Sequence, residues 1–164
     1  MAEQLSISKN ASKEEIYKEI FPQIESLISG EEDLIANLAN ICAVLNVAFS
    51  HLWTGFYITR GDDLVLGPFQ GPLACTRIPL RPAAKGVCGA AAKEQKTIVV
   101  PDVEKFPGHI ACSSLSRSEI VVPLVHNGET QLVLDIDSTE LNSFDEADAL
   151  YLEKIIELVK NNHF

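Results

Sequence analysis

The stretch that most restricts the fold is EIVVPLVHNGETQLVLDID, residues 119–137. Two β-rich runs flank Asn127-Gly128, a dipeptide that strongly favours the tight turn of a hairpin. Residues two apart in an extended chain share a face. Leu132, Leu134 and Ile136 therefore lie on one face of the second strand, and Val133, Asp135 and Asp137 on the other. Either the aspartates face water or they line a pocket. A two-residue loop continued regularly sets Glu119 opposite Ile136, away from the aspartates. A three-residue loop, or a bulge, shifts the pairing by one and sets Glu119 opposite Asp137. An acidic site therefore predicts an irregularity in this hairpin, and Pro123 in its first strand is consistent with one.

The rest of the chain supplies helices and further strands. Ser12 and Glu15 form a capping box before a helix over 13–29, whose apolar residues recur at helical spacing. Pro22 predicts a kink or break near Phe21. A second helix spans roughly 32–47, with Cys42 inside its apolar stripe, a position that reads as core packing. Strands follow at about 52–59 and 63–69, and in CTRIPL. A short helix begins near Gly86, and TIVVPD is another strand. Residues 101–118 form a loop longer than most, a length that often carries function. A closing amphipathic helix opens with a capping box at Ser143 and Glu146. The order is α+β: a central antiparallel sheet with N- and C-terminal helices packed on one face.

With 164 residues, 46% of them hydrophobic, the chain can bury a core, as one domain with a helical extension over residues 1–30. A net charge of -10 argues against nucleic acid and anionic membrane as partners. No apolar run approaches the roughly 20 residues needed to span a bilayer, and no secretory signal is visible. These features point to the cytoplasm, where Cys42, Cys75, Cys88 and Cys112 are expected as thiols rather than permanent structural disulfides.

Cys112 sits in the long loop, in GHIACSS, with His109 three residues earlier. Cys75 begins a strand after the Gly71-Pro72 turn. Cys88 lies at a helix start, where backbone N–H groups favour a thiolate. Cys75, Cys88, Cys112 and His109 offer four metal-type ligands, but their spacing fits no common zinc pattern, so no metal is expected. Trp53 and Tyr57 share a strand face with Gly55 between them. They read either as core aromatics or as two rings flanking a gap for a flat or methyl-bearing ligand.

The segments WTGFY, GPLACTRIPL, GVCGAA, VPDVEKFPGHIACSSLSRSEIVVPL and LVLDIDS together resemble the free methionine-(R)-sulfoxide reductases, enzymes built on a GAF domain. The resemblance covers roughly residues 30–160, which places a GAF-like catalytic domain over 31–164. RPAAKGVC is slightly longer than the form associated with bacterial members, a change confined to a turn. The resemblance implies Cys112 as nucleophile, Cys75 as resolving cysteine and Cys88 as an additional relay thiol. It implies Glu119, Asp135 and Asp137 as acidic pocket residues, and Trp53 and Tyr57 as the holders of the methyl-sulfoxide end.

These roles suit the chemistry. A thiolate attacks the sulfoxide sulfur, and the departing oxygen needs a proton. Three crowded carboxyl groups keep one protonated, expected at Glu119. Asp135 and Asp137 are expected to hold the substrate ammonium, which selects the free amino acid. A sulfenic acid then condenses to an intramolecular disulfide, and thioredoxin reduces it. No cofactor is expected, and a homodimer is. His109, Arg117 or the substrate ammonium would offset the acids around Cys112. The competing readings are a non-catalytic GAF module that senses a small ligand and a thiol redox sensor or metal-binding protein.

Overall fold

The computed structural model describes residues 4–109 and 113–164. Helix α1 (Lys13–Ile28) starts at Ser12, whose hydroxyl accepts from Glu15 N–H while the Glu15 carboxylate accepts from Ser12 N–H. Its buried face is Tyr17, Ile20, Ile24 and Ile28, at the three- and four-residue spacing of one helical stripe. The helix runs through Pro22 without a break. Pro22 is exposed, so the carbonyl that loses its partner can turn to water. Helix α2 (Leu34–Phe49) is capped by Asp33, which accepts from Ala36 N–H at 2.8 Å.

Among the described residues, six strands form one antiparallel sheet: β1 (Trp53–Arg60), β2 (Asp63–Gln70), β3 (Arg77–Pro79), β4 (Ile98–Val100), β5 (Ser118–His126) and β6 (Glu129–Ser138). Their spatial order is β3-β2-β1-β6-β5-β4. Helix α3 (Gly86–Glu94) precedes β4, and α4 (Glu146–His163) ends the fold. The long loop contains one turn of 3₁₀ helix, Val103–Lys105. The box that opens α4 is Asp145 with Asp148 rather than Ser143 with Glu146. Asp148 also accepts from Tyr17 Oη at 2.8 Å and pairs with Lys13, so the same buried carboxylate starts α4 and ties it to α1.

The sheet separates two cores. Helices α1, α2 and α4 cover one face and bury Phe56, Ile58, Ile120, Val122, Leu124, Leu132, Leu134 and Ile136. Cys42 belongs to this core, fully buried, with its thiol donating to the Pro68 carbonyl at 3.3 Å. Pro68 lies where the β1–β2 register slips between Gly55 and Tyr57, a bulge that accommodates a residue without an N–H. The opposite face packs Trp53, Tyr57, Val121 and Val133 against Val87, Cys88, Ala91 and Ala92 of α3.

The central hairpin combines both expected geometries. Asn127 and Gly128 have φ of 51° and 78°, the signature of a two-residue type I′ turn, and His126 pairs with Glu129. The register then slips between Leu124 and Val125: Val125 pairs with Thr130, but Leu124 pairs with Leu132. Gln131 is the extra residue. Beyond this bulge Glu119 stands opposite Asp137.

Candidate active site

The bulge decides which face the acids share. A one-residue slip would move a whole strand's side chains to the other face. With Gln131 bulged out, Leu132, Leu134 and Ile136 meet the helices, while Asp135 and Asp137 turn toward α3 beside Glu119. Trp53 on β1 pairs with Asp137, and Gly55 pairs with Asp135. One cross-strand row therefore reads Trp53, Asp137, Glu119, and the next reads Gly55, Asp135, Val121. Directly opposed side chains have Cβ atoms about 5 Å apart, close enough for carboxyl groups to share protons.

Two recesses share the aspartates in their linings. Val87, Cys88, His109, Ser116, Glu119, Asp135 and Asp137 surround about 30 Å³ of free space. Trp53, Tyr57, Leu73, Ala74 and Ser113 enclose about 20 Å³ on the other side of the same aspartates. Larger hollows beside α4 (about 470 Å³) and β4 (about 330 Å³) have no comparable set of buried acids among their linings. Chemistry, not size, marks the site.

The electrostatics follow from burial. Glu119 and Asp135 are 5% and 7% exposed. Desolvation, then the neighbouring aspartates, raise the Glu119 carboxyl well above the usual range. Asp135 is raised by burial and by Asp137, against hydrogen bonds with Cys88 and Glu119 that favour its charged form. Asp137 is half-buried and is pushed up to about 6 by desolvation, while the Ser116 hydroxyl donates to it and holds it back. The cluster therefore retains protons near neutral pH. Asp135 Oδ1 is buried without a hydrogen-bond partner, an acceptor left for an incoming donor.

The thiols differ sharply. Cys88 is buried under the acids, and burial followed by Asp135 and Glu119 raises it well above an ordinary thiol. The thiolate expected from its place in the first turn of α3 is overruled, because a helix end contributes less than desolvation beside two carboxyl groups. Cys75 is half-buried and disulfide-bonded, and its carbonyl accepts from Tyr57 Oη at 3.0 Å. Cys112 lies outside the described residues.

His109 Nδ1 stands 3.8 Å from Glu119 Oε2, but burial lowers its pKa and keeps the imidazole neutral. Arg117 is exposed. Its backbone instead anchors the loop, donating to the Ser138 carbonyl at 2.8 Å and accepting from Val103 N–H at 3.0 Å. Trp53 and Tyr57 are both buried, with centroids 5.8 Å apart. The gap expected over Gly55 is filled by Trp53 itself: a Cβ at Gly55 would lie 2.4 Å from the indole. The two rings are thus core aromatics that also wall the recess. Ser116 is the site residue that sequence reasoning missed, since only the loop's return onto β6 brings it to Asp137. The Cys88 sulfur and oxygens of Glu119 and Asp135 lie within 4.8 Å of one another, the one three-ligand grouping among the described residues.

Residues 29–161 match the family model for the GAF domain. GAF domain-containing protein A of Dictyostelium discoideum is 57% identical over 98% of this chain and 100% of its own length. The free methionine-R-sulfoxide reductase of Saccharomyces cerevisiae is 41% identical over 98% of this chain and 93% of its own. The crystal structure of free methionine-R-sulfoxide reductase from Neisseria meningitidis, in complex with its substrate, superimposes with a TM-score of 0.90. It has 52% identity and covers 97% of this chain and 95% of that one. An acidic pocket on the α3 face of a GAF sheet and identities of this order over nearly full length agree: the chain is an oxidoreductase of the free methionine-R-sulfoxide reductase family, built on a GAF domain.

Proposed function

We propose that this protein reduces free L-methionine-(R)-sulfoxide to L-methionine, with Cys112 as nucleophile and Glu119 as the acid. The observation that carries the reading is the convergence of Glu119, Asp135 and Asp137 on one recess, with the two aspartates also lining a second recess walled by Trp53 and Tyr57. Relatives named for this activity support it.

In this mechanism the Cys112 thiolate attacks the sulfoxide sulfur. The oxygen takes a proton from Glu119, whose raised pKa keeps that proton available at neutral pH. The protonated oxygen then passes to the Cys112 sulfur as its bond to the methionine sulfur breaks, the sulfur–sulfur bond of the adduct breaks with it, and methionine departs, leaving Cys112 as a sulfenic acid. The thiol of Cys75 displaces it as water and forms a disulfide, and Cys88 serves as a further relay thiol. A dithiol of the thioredoxin class returns two electrons and two protons. The balance is sulfoxide plus dithiol to thioether, water and disulfide.

Asp137, the least shifted acid, is the group best suited to meet the substrate ammonium, with Asp135 Oδ1 as a second acceptor. A methionine within a protein lacks that ammonium, so its burial against these acids would go uncompensated. Trp53 and Tyr57 hold the methyl end. The offset for the acids around Cys112 is then the substrate's own ammonium, because His109 is neutral and Arg117 exposed. Residues 1–30 act as a helical extension to the catalytic unit of 31–164, and two chains pair as a homodimer in the cytoplasm. Among the described residues, no helix is long and apolar enough to cross a membrane.

Turnover of purified protein with the (R) and (S) epimers of free methionine sulfoxide, with dithiothreitol as reductant, tests the reading. Reduction of the (R) epimer alone, abolished in Cys112→Ser, is expected. Turnover surviving in that variant moves the nucleophile to Cys75 or Cys88. No turnover of either epimer overturns the reductase reading.

A further inference from the structure

Three groups beside Glu119 share one recess with it and with one another. Cys88 is a free, buried thiol 3% exposed, inside the acid cluster. Asp135, 93% buried by its 7% exposure, aims an oxygen without a partner into the recess. His109 Nδ1 is also buried without a hydrogen-bond partner and stands 3.8 Å from Glu119 Oε2. One sulfur, two carboxylate groups and one imidazole nitrogen thus converge from α3, β5, β6 and the long loop.

We propose that Cys88 Sγ, Glu119 and Asp135 form a binding site for a thiophilic divalent cation of the zinc class, with His109 of the same recess turning in as the fourth ligand, occupied in competition with the amino-acid substrate. A tetrahedral zinc with bonds of about 2.0 Å to nitrogen or oxygen and 2.3 Å to sulfur spaces its ligand atoms about 3.3–3.6 Å apart. The three atoms from Cys88, Glu119 and Asp135 already lie within 4.8 Å of one another, so the cation draws them inward, and His109, 3.8 Å from Glu119 but outside that group, rotates to join them. The cation replaces the thiol proton of Cys88 and the protons shared by the carboxyl groups, supplying the positive charge these buried acids lack. A mixed sulfur, nitrogen and oxygen donor set favours zinc over magnesium or calcium. No electron transfer is involved. The competition rests on the function proposed above; the binding does not.

The test uses the reduced chain carrying Cys75→Ser and Cys112→Ser, so that Cys88 and the core thiol Cys42 are the cysteines left. Zinc is titrated against a chromophoric chelator, and cobalt(II) is used as the optical probe. One cation per chain is expected, with a near-ultraviolet thiolate-to-cobalt charge-transfer band. Adding Cys88→Ser should abolish the band and weaken zinc by more than the roughly 10–100-fold that loss of an outer-shell partner costs. Glu119→Gln, nearly isosteric, should weaken it as well in a chain whose circular dichroism is unchanged. The absence of stoichiometric binding, or binding indifferent to Cys88→Ser, overturns the site. In the wild type, zinc should inhibit turnover and a chelator should restore it. A chain with no turnover at all speaks against the reductase reading, while the cobalt band still decides the metal site.

Discussion

The two faces of the sheet are built from the same strands and do opposite things. On the helix face, Leu132, Leu134 and Ile136 of β6 meet Ile120, Val122 and Leu124 of β5, all essentially without exposure. None of these six side chains titrates. On the α3 face the same two strands present Asp135, Asp137 and Glu119, with burial nearly as complete for Asp135 and Glu119. The first face gains free energy from removing apolar surface from water. The second spends some of it, because its carboxyl groups are desolvated next to one another. One side of the sheet is a dry apolar core and the other holds buried acids among its apolar contacts, a few ångströms apart through the backbone.

The comparison can be broken most severely at Glu119. Glu119→Gln is expected to lower kcat/KM for free methionine-(R)-sulfoxide by about 10²–10⁴-fold, the usual worth of a positioned acid. Its melting temperature should hold or rise, because a buried, proton-hungry group is removed. A large fall in melting temperature without loss of rate would reverse the roles of the two faces. Leu134→Ala is the mirror experiment: a loss of about 2–5 kcal/mol in denaturant unfolding, with the folded fraction keeping its rate.

Next in size is the response to pH. An Asp137 carboxyl raised from its ordinary value of 3.8 to about 6 binds its proton more tightly folded than unfolded. Stability is therefore highest below the unfolded pKa and falls as pH rises from about 4 through about 6, by roughly 1–3 kcal/mol. Glu119 and Asp135, raised further, extend the fall to higher pH. Denaturant midpoints across this range should flatten in Asp137→Asn. Ser116→Ala removes the donor that favours the charged Asp137, so the acid limb of the activity profile should move up by about one pH unit. A profile that stays put would show that Ser116 serves the loop rather than the acid.

The smallest effect is expected at the bulge. Deleting Gln131 leaves Thr130 opposite Val125 and Leu132 opposite Leu124 in a regular ladder, with Glu119 still facing Asp137. The variant should fold and retain most of its turnover, within about 1 kcal/mol of the parent in stability. Replacing Gln131 by Ala, with the bulge retained, is the control.

Local signals carried much of this protein. Alternation in β5 and β6, the Asn127-Gly128 turn, the Ser12 and Glu15 capping box and the apolar stripes of α1 and α2 are short-range physics, and each element formed within a residue or two of its expected place. Their order marked an α+β chain, and LVLDIDS already separated an apolar face from an acidic one. The helix did not break at the exposed Pro22, and α4 opens on Asp145 rather than Ser143 because the Asp148 carboxylate completes the box there. What the chain alone left open was convergence. Whether Glu119 meets Asp137 depended on one bulged residue, which either hairpin geometry allowed. That Trp53 fills the space over Gly55, that Ser116 reaches Asp137, and that Cys88 is buried beneath the acids are long-range contacts. A strand's periodicity states which side chains share a face. Only the packing of that face against α3 and the long loop determines whether they meet water or one another, and therefore whether they hold protons.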